Sequence, residues 1–111
     1  MASSVIKNMS GYKLLDSLTF TAMTTVTHTV TVDTTNIEEI AIMGGCISTS
    51  FPIIQGIASY SATGYYYVAE TYNLRTFVDV TIVDANTISI RYRLEAKGTL
   101  EGYPTMSIYY R

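Results

Sequence analysis

Residues 75–95 read R-T-F-V-D-V-T-I-V-D-A-N-T-I-S-I-R-Y-R-L-E, and their alternation decides the fold. Val78, Val80 and Ile82 recur at every second position, as do Ile88, Ile90, Tyr92 and Leu94. A period of two is the mark of strands buried on one face. If both apolar sets face the same side, the numbers of opposed residues must add to an even total, because a slip of one residue turns a whole face over. A loop of Asp84, Ala85 and Asn86 meets that condition: it sets Ile82 against Ile88, Val80 against Ile90 and Val78 against Tyr92. On the opposite face the same register brings Asp79 to Arg91 and Arg75 to Glu95, opposite charges that the apolar rule did not use. Two independent criteria thus select one register.

The rest of the chain has the same character. With 111 residues it is long enough for one two-layer core and too short for two. Apolar residues make up 48% and charged residues only 14%, with ten Tyr and no Trp. Thr, Tyr, Val and Ile favour pleated, half-buried surfaces, so an all-β domain is expected. So few charges leave much of the solvent face to Thr, Ser and Tyr, a surface weakly protected against self-association, and a homo-oligomer is expected.

Residues 1–23 form an N-terminal segment, read either as an edge strand or as a connector; within it, the apolar spacing of 12–20 fits a helical turn and an irregular strand about equally, and neighbours dominated by Thr and Val favour strand. The main domain is assigned to residues 24–111. T-T-V-T-H-T-V-T-V at 24–32 is the cleanest strand, with Val26, His28, Val30 and Val32 on one face and Thr25, Thr27, Thr29 and Thr31 on the other. Asp33 to Asn36 turn the chain. I-E-E-I-A-I-M follows, and a Gly44-Gly45 turn would pair Met43 with Cys46, Ile42 with Ile47 and Ile40 with Thr49. Phe51-Pro52 ends that hairpin. Residues 53–63 are the least periodic, a connection that crosses between sheets. G-Y-Y-Y-V-A-E-T-Y at 64–72 sends Tyr66 to one face and Tyr65 and Tyr67 to the other, and Thr71 to Leu74 turn the chain into the organising hairpin. T-M-S-I-Y-Y-R closes the chain as a last strand. Seven or eight short strands of this kind predict an antiparallel β-sandwich of jelly-roll-like topology.

Catalytic chemistry finds no foothold. His28 and Cys46 lack any spacing that would join base to nucleophile, and Cys46 is expected to be a buried, inert thiol. His28 is expected as a hydrogen-bonded histidine of the core or an interface. One His and one Cys make no zinc site. Glu38 and Glu39 are adjacent on a strand and so point apart, which defeats a paired-carboxylate mechanism. Gly44-Gly45 lacks the Lys and the helix of a phosphate loop. The chain is therefore read as a non-enzyme with no catalytic residues, metal or cofactor. A net charge of −2, with seven Lys and Arg in no run, argues against nucleic acid. No apolar run of about 20 residues suggests membrane insertion, and the start of the chain has no signal-peptide pattern. The feature that invites a partner is the aromatic cluster Tyr60, Tyr65, Tyr66, Tyr67 and Tyr72 with Arg75, side chains of the kind that stack on sugar rings or anchor a protein surface.

G-Y-Y-Y at 64–67, the hairpin V-D-V-T-I-V-D-A-N-T-I-S-I-R-Y, the closing T-M-S-I-Y-Y-R and the I-E-E-I-A-I-M strand after a Thr-rich turn together resemble the carboxyl-terminal head domains of tail fibres and receptor-binding proteins of phages and prophages. The resemblance covers residues 24–111. It implies an all-β, usually trimeric domain that attaches a virion to a bacterial surface saccharide or protein, made in the bacterial cytoplasm and resident in the virion tail fibre. Contacts would lie on loops at the outer end of the trimer. The chain starts near the domain itself, without the shaft of a fibre, which is where it departs from that pattern. The alternative reading is a structural phage or capsid component whose Tyr and Thr faces make subunit contacts and bind no ligand.

Overall fold

The computed structural model describes residues 11–21 and 24–111. Among them eight strands run β1 (Lys13–Thr19), β2 (Val26–Thr31), β3 (Glu39–Gly44), β4 (Ile47–Pro52), β5 (Ser59–Ala69), β6 (Tyr72–Asp84), β7 (Thr87–Lys97) and β8 (Thr105–Tyr110). They form two antiparallel four-stranded sheets, ordered β1-β8-β3-β4 and β2-β7-β6-β5. The expected all-β sandwich is what the chain builds. Its jelly-roll character lies in the ends, where β1 runs beside β8 in one sheet and β2 beside β7 in the other. In the middle the chain is simpler, because β3–β4 and β5–β6–β7 are plain hairpins that stay within one sheet. The sandwich takes in β1 and so begins before residue 24; the first ten residues, read as edge strand or connector, lie outside the described residues.

Between the sheets, alternate residues meet. Ile40, Ile42, Met106, Ile108 and Leu18 of the first sheet face Val78, Val80, Ile88, Ile90, Tyr92 and Leu94 of the second, all buried. Phe20 closes one end, edge-on to Tyr92 with ring centroids 5.6 Å apart. The organising hairpin has the expected register: Ile82 faces Ile88, Val80 faces Ile90, Val78 faces Tyr92, Asp79 faces Arg91 and Arg75 faces Glu95. Its loop differs. Asp84 pairs with Thr87 and Val83 is left as a bulge, so that Ala85 and Asn86 alone make the turn. The Asp84 carboxylate accepts the Asn86 N–H at 2.8 Å, an Asx turn that the sequence pattern treated as plain loop. β6 also begins at Tyr72, inside the stretch expected to be a turn, which shrinks to Glu70-Thr71.

The β3–β4 turn sits one residue later than the Gly-Gly pattern suggests. Gly44 pairs with Ile47, Met43 with Ser48, Ile42 with Thr49 and Ile40 with Phe51, leaving Gly45 and Cys46 as the turn. Both have positive φ, +61° and +65°, as a two-residue hairpin with matched twist requires. Parity is kept, so the same residues still face inward. Gly44 is held in the strand by β8, whose Thr105 carbonyl would lie 2.5 Å from any Cβ there. The turn is then bound to the other sheet: the Thr76 hydroxyl, buried on β6, donates to the Gly45 carbonyl at 2.5 Å. Gly64 on β5 lies against the same turn, with room for no Cβ between the Cys46 carbonyl and Thr76.

His28 occupies the inward register of β2, opposite Ile90, as the sequence pattern has it, but β2 is an edge strand and its imidazole remains 52% exposed. Its Nδ1 is paired with the Asp16 carboxylate of β1, the edge strand of the facing sheet. One open side of the sandwich is therefore closed by a side-chain contact across the layers.

Thr76→Val keeps the shape and removes the hydroxyl donor to the Gly45 carbonyl; we expect a loss of about 1–3 kcal/mol of unfolding free energy, measured as a lower urea midpoint with unchanged slope.

Candidate functional site

Strand lengths set up the site. β6 has thirteen residues and at about 3.3 Å each runs roughly 43 Å, against about 20 Å for the six residues of β3. The second sheet therefore overhangs the first. The overhang begins at the Gly45-Cys46 turn, beside Gly64 and Thr76. Beyond it lie Tyr65–Ala69 of β5, Tyr72–Arg75 of β6 and Glu95–Lys97 of β7, a three-stranded arm.

On the outer face of this arm the register arranges side chains in rows across the strands. Thr63, Phe77 and Arg93 form one row, Tyr65, Arg75 and Glu95 the next, and Tyr67, Asn73 and Lys97 the last. The Tyr65 and Tyr67 rings lie 6.0 Å apart and tilted by 35°. Arg75 holds its guanidinium 4.9 Å above the Tyr65 ring, and Arg93 lies 4.8 Å from the Phe77 ring centre. Arg93 also binds Glu95 at 2.9 Å. Arg75 and Glu95 are thus opposite in register, as expected, while Arg93 supplies the ion pair to Glu95. The last two rows, with Arg93, Glu70 and Ala96, line an open groove of about 720 Å³. Its walls offer aromatic faces, guanidinium donors, carboxylate acceptors and the amide of Asn73. That set suits a hydroxyl-rich, ring-shaped ligand, whose apolar ring face and polar rim need both kinds of partner.

The six side chains singled out by the sequence separate into three groups. Tyr65, Tyr67 and Arg75 come together at the groove, with the two tyrosines 52% and 53% exposed. Tyr66 takes the inward register opposite Leu74, yet beyond the end of the first sheet it stays 49% exposed, and half-buried Tyr72 shares its side. Tyr60 stands apart. It is 7% exposed, tilted against Phe51, and its hydroxyl donates to the Ile57 carbonyl while accepting the Ile54 N–H, both at 2.9 Å. That ring fixes the connection between β4 and β5 and has no free face for a ligand. Sequence reasoning passed over Asn73, Arg93, Glu95 and Lys97, although the hairpin register already placed Arg93 and Glu95 on the outer face with Arg75.

Cys46 is exposed, contrary to the expectation of a buried thiol, because it is the second residue of the shifted turn. Of the adjacent carboxylates, Glu38 is exposed and Glu39 is clamped. The Tyr12 hydroxyl donates to Glu39 Oε1 at 2.5 Å, Arg111 Nε donates to the same oxygen at 2.7 Å, and the Arg111 guanidinium lies 4.8 Å from the Tyr12 ring centre. The Glu38 and Glu39 N–H groups donate to the Arg111 carbonyl, so this cluster fastens the last residue of the chain to β3. Among the described residues no three His, Cys, Asp or Glu side chains converge as metal ligands. No helix among them is long and apolar enough to cross a membrane. No family model, curated protein or solved structure matches this chain.

Three carboxyls are held below the ordinary carboxylate range, Asp33 chiefly by the Thr35 hydroxyl. For Glu39 the Tyr12 hydrogen bond is the main cause, opposed by burial and assisted by Ser50 and Arg111. For Asp79 it is the Ser61 hydroxyl, at 2.5 Å, opposed by burial and assisted by Arg91 at 3.0 Å. A carboxyl whose folded pKa is depressed stabilises the fold fully above its unfolded pKa and ceases to as pH falls through the folded one. Urea midpoints measured from about pH 6 to pH 3 should therefore fall toward acid, and Glu39→Gln and Asp79→Asn should each flatten that dependence.

Proposed function

We propose that this domain is an adhesion module that holds a bacterial surface saccharide in the groove of the arm, as the receptor-binding head of a phage or prophage tail fibre. The observation that carries the reading is the convergence of Tyr65, Tyr67 and Arg75 on one exposed face. Tyr and Arg are the residues most often responsible for binding energy at recognition surfaces. Three cationic and two acidic side chains also line the groove, so it offers both donors and acceptors to sugar hydroxyls or to a charged sugar substituent. The groove is open, which suits an extended chain reached from the side. The tail-fibre assignment rests on the sequence resemblance; the binding assignment rests on the groove.

A structural role without ligand is favoured by a different feature. Thr25, just before edge strand β2, and Thr27, Thr29 and Thr31 on it form an exposed row on the outer face, beside β7. Such a row offers methyls and hydroxyls together, a surface suited to subunit contacts.

A glycan array and whole-cell binding with purified protein separate the two. Under the adhesion reading, Tyr65→Ala and Arg75→Ala each weaken binding about tenfold or more, near 1.4 kcal/mol. Tyr66→Ala and Tyr72→Ala, on the opposite side of the arm, change it little. A folded protein that binds neither cells nor glycans supports the structural reading instead.

A further inference from the structure

The two open sides of the sandwich are built differently. At one, β1 and β2 are the facing edges and Asp16 is paired with His28 across them. At the other, β4 and β5 are the facing edges, and neither carries a charged side chain. The charge-free run is longer than the strands: between Glu39 and Glu70 the sequence contains no Asp, Glu, Lys or Arg. Exposed edge strands are ordinarily guarded by charge, by proline or by being short. β5 has eleven residues, no proline, no charge, and a bulge only at its far end, between Tyr67 and Ala69.

The free hydrogen-bonding groups of β5 can be assigned from one bond. The Ile82 N–H donates to the Ala58 carbonyl at 2.8 Å, which puts Ala58 and Ile82 at a hydrogen-bonded position of the antiparallel ladder. Such positions recur at every second residue. The register from Ser59↔Thr81 to Tyr67↔Asn73 is unbroken, so Tyr60, Ala62, Gly64 and Tyr66 point their backbone groups at β6. Ser59, Ser61, Thr63, Tyr65 and Tyr67 therefore direct theirs away from the sheet, toward the open edge. This set is symmetric about Thr63.

We propose that β5 pairs antiparallel with β5 of a second copy of this chain, across a two-fold axis at Thr63, joining the two sheets into one of eight strands. Thr63 meets Thr63 of the other copy, Ser61 meets Tyr65 and Ser59 meets Tyr67, each bonded through groups that no other described strand meets. A second copy is the occupant the edge itself specifies. An isologous contact needs one surface complementary to itself, and an edge without charge, with its free groups symmetric about one residue, sets no like charges against each other. Next to the axis on the inner side lie Ala62 and Gly64, too small to obstruct the seam. The arrangement also brings the uncharged β4 edges of the two copies to the same side of the contact. It is two-fold, in place of the trimer that the tail-fibre resemblance implies, and it does not depend on what the groove binds.

The test removes the intermolecular ladder without touching the internal one. In Thr63→Pro the lost N–H is one that faces outward, so proline is tolerated there as on any edge strand. Thr63→Lys sets two cations opposite each other at the axis. Light scattering after size exclusion, at roughly 50 µM where association is favoured by mass action, should give a dimer for the unaltered chain. Both variants should be monomers with unchanged far-UV circular dichroism. A monomer for the unaltered chain, a trimer, or a dimer that both folded variants retain would each overturn the proposal.

Discussion

The sheets of this sandwich are tied together by a backbone contact as well as by side-chain packing. The Gly45-Cys46 turn of the first sheet lies directly on β5 and β6 of the second, where Gly64 has no side chain to hold it off and the Thr76 hydroxyl takes up its carbonyl. A buried carbonyl left unbonded would cost more than an ordinary hydrogen bond contributes, so this contact has little freedom to drift. It also marks where the first sheet stops. Everything beyond it on β5, β6 and β7 extends as an arm with one layer only, and the exposure of Tyr65, Tyr66 and Tyr67 follows.

The arm explains why one tyrosine run serves two different surfaces. Strand alternation divides Tyr66 from Tyr65 and Tyr67, and in a fully covered sheet one of those sets would be core. Because the covering layer has ended, both sets remain accessible, and the outer one gathers Arg75, Asn73, Arg93 and Lys97 from the neighbouring strands into a groove. The proposed binding face stands on regular strands and is held by the ladder beneath it.

Charge is distributed with equal economy around the rim. Asp16 with His28 closes one side of the sandwich, Glu39 with Tyr12 and Arg111 secures the chain's last residue, and Asp79 with Ser61 and Arg91 braces the outer face of the second sheet. The β4–β5 side has none of this. In a chain with so few charges, their placement distinguishes the two open sides of the sandwich, one guarded by charge and one not.

Local pattern was enough to place most of the strands, their inward residues and the β6–β7 register from Ile82–Ile88 to Arg75–Glu95, with its Asp79–Arg91 pair, because each depends on the parity of neighbouring positions; it missed the starts of β5 at Ser59 and β6 at Tyr72 and the bulge at Val83. The division of the tyrosines between faces was legible for the same reason. Tertiary structure alone decided the rest. The β3–β4 turn moved by one residue because β8 holds Gly44 in the ladder, and that move exposed Cys46. Tyr60 was buried by a loop it anchors, and His28 was exposed because β2 lies at an edge. The alternation of a strand says which side of its own sheet a residue takes; it carries no record of whether another layer lies there, and that depends on where strands distant in sequence begin and end.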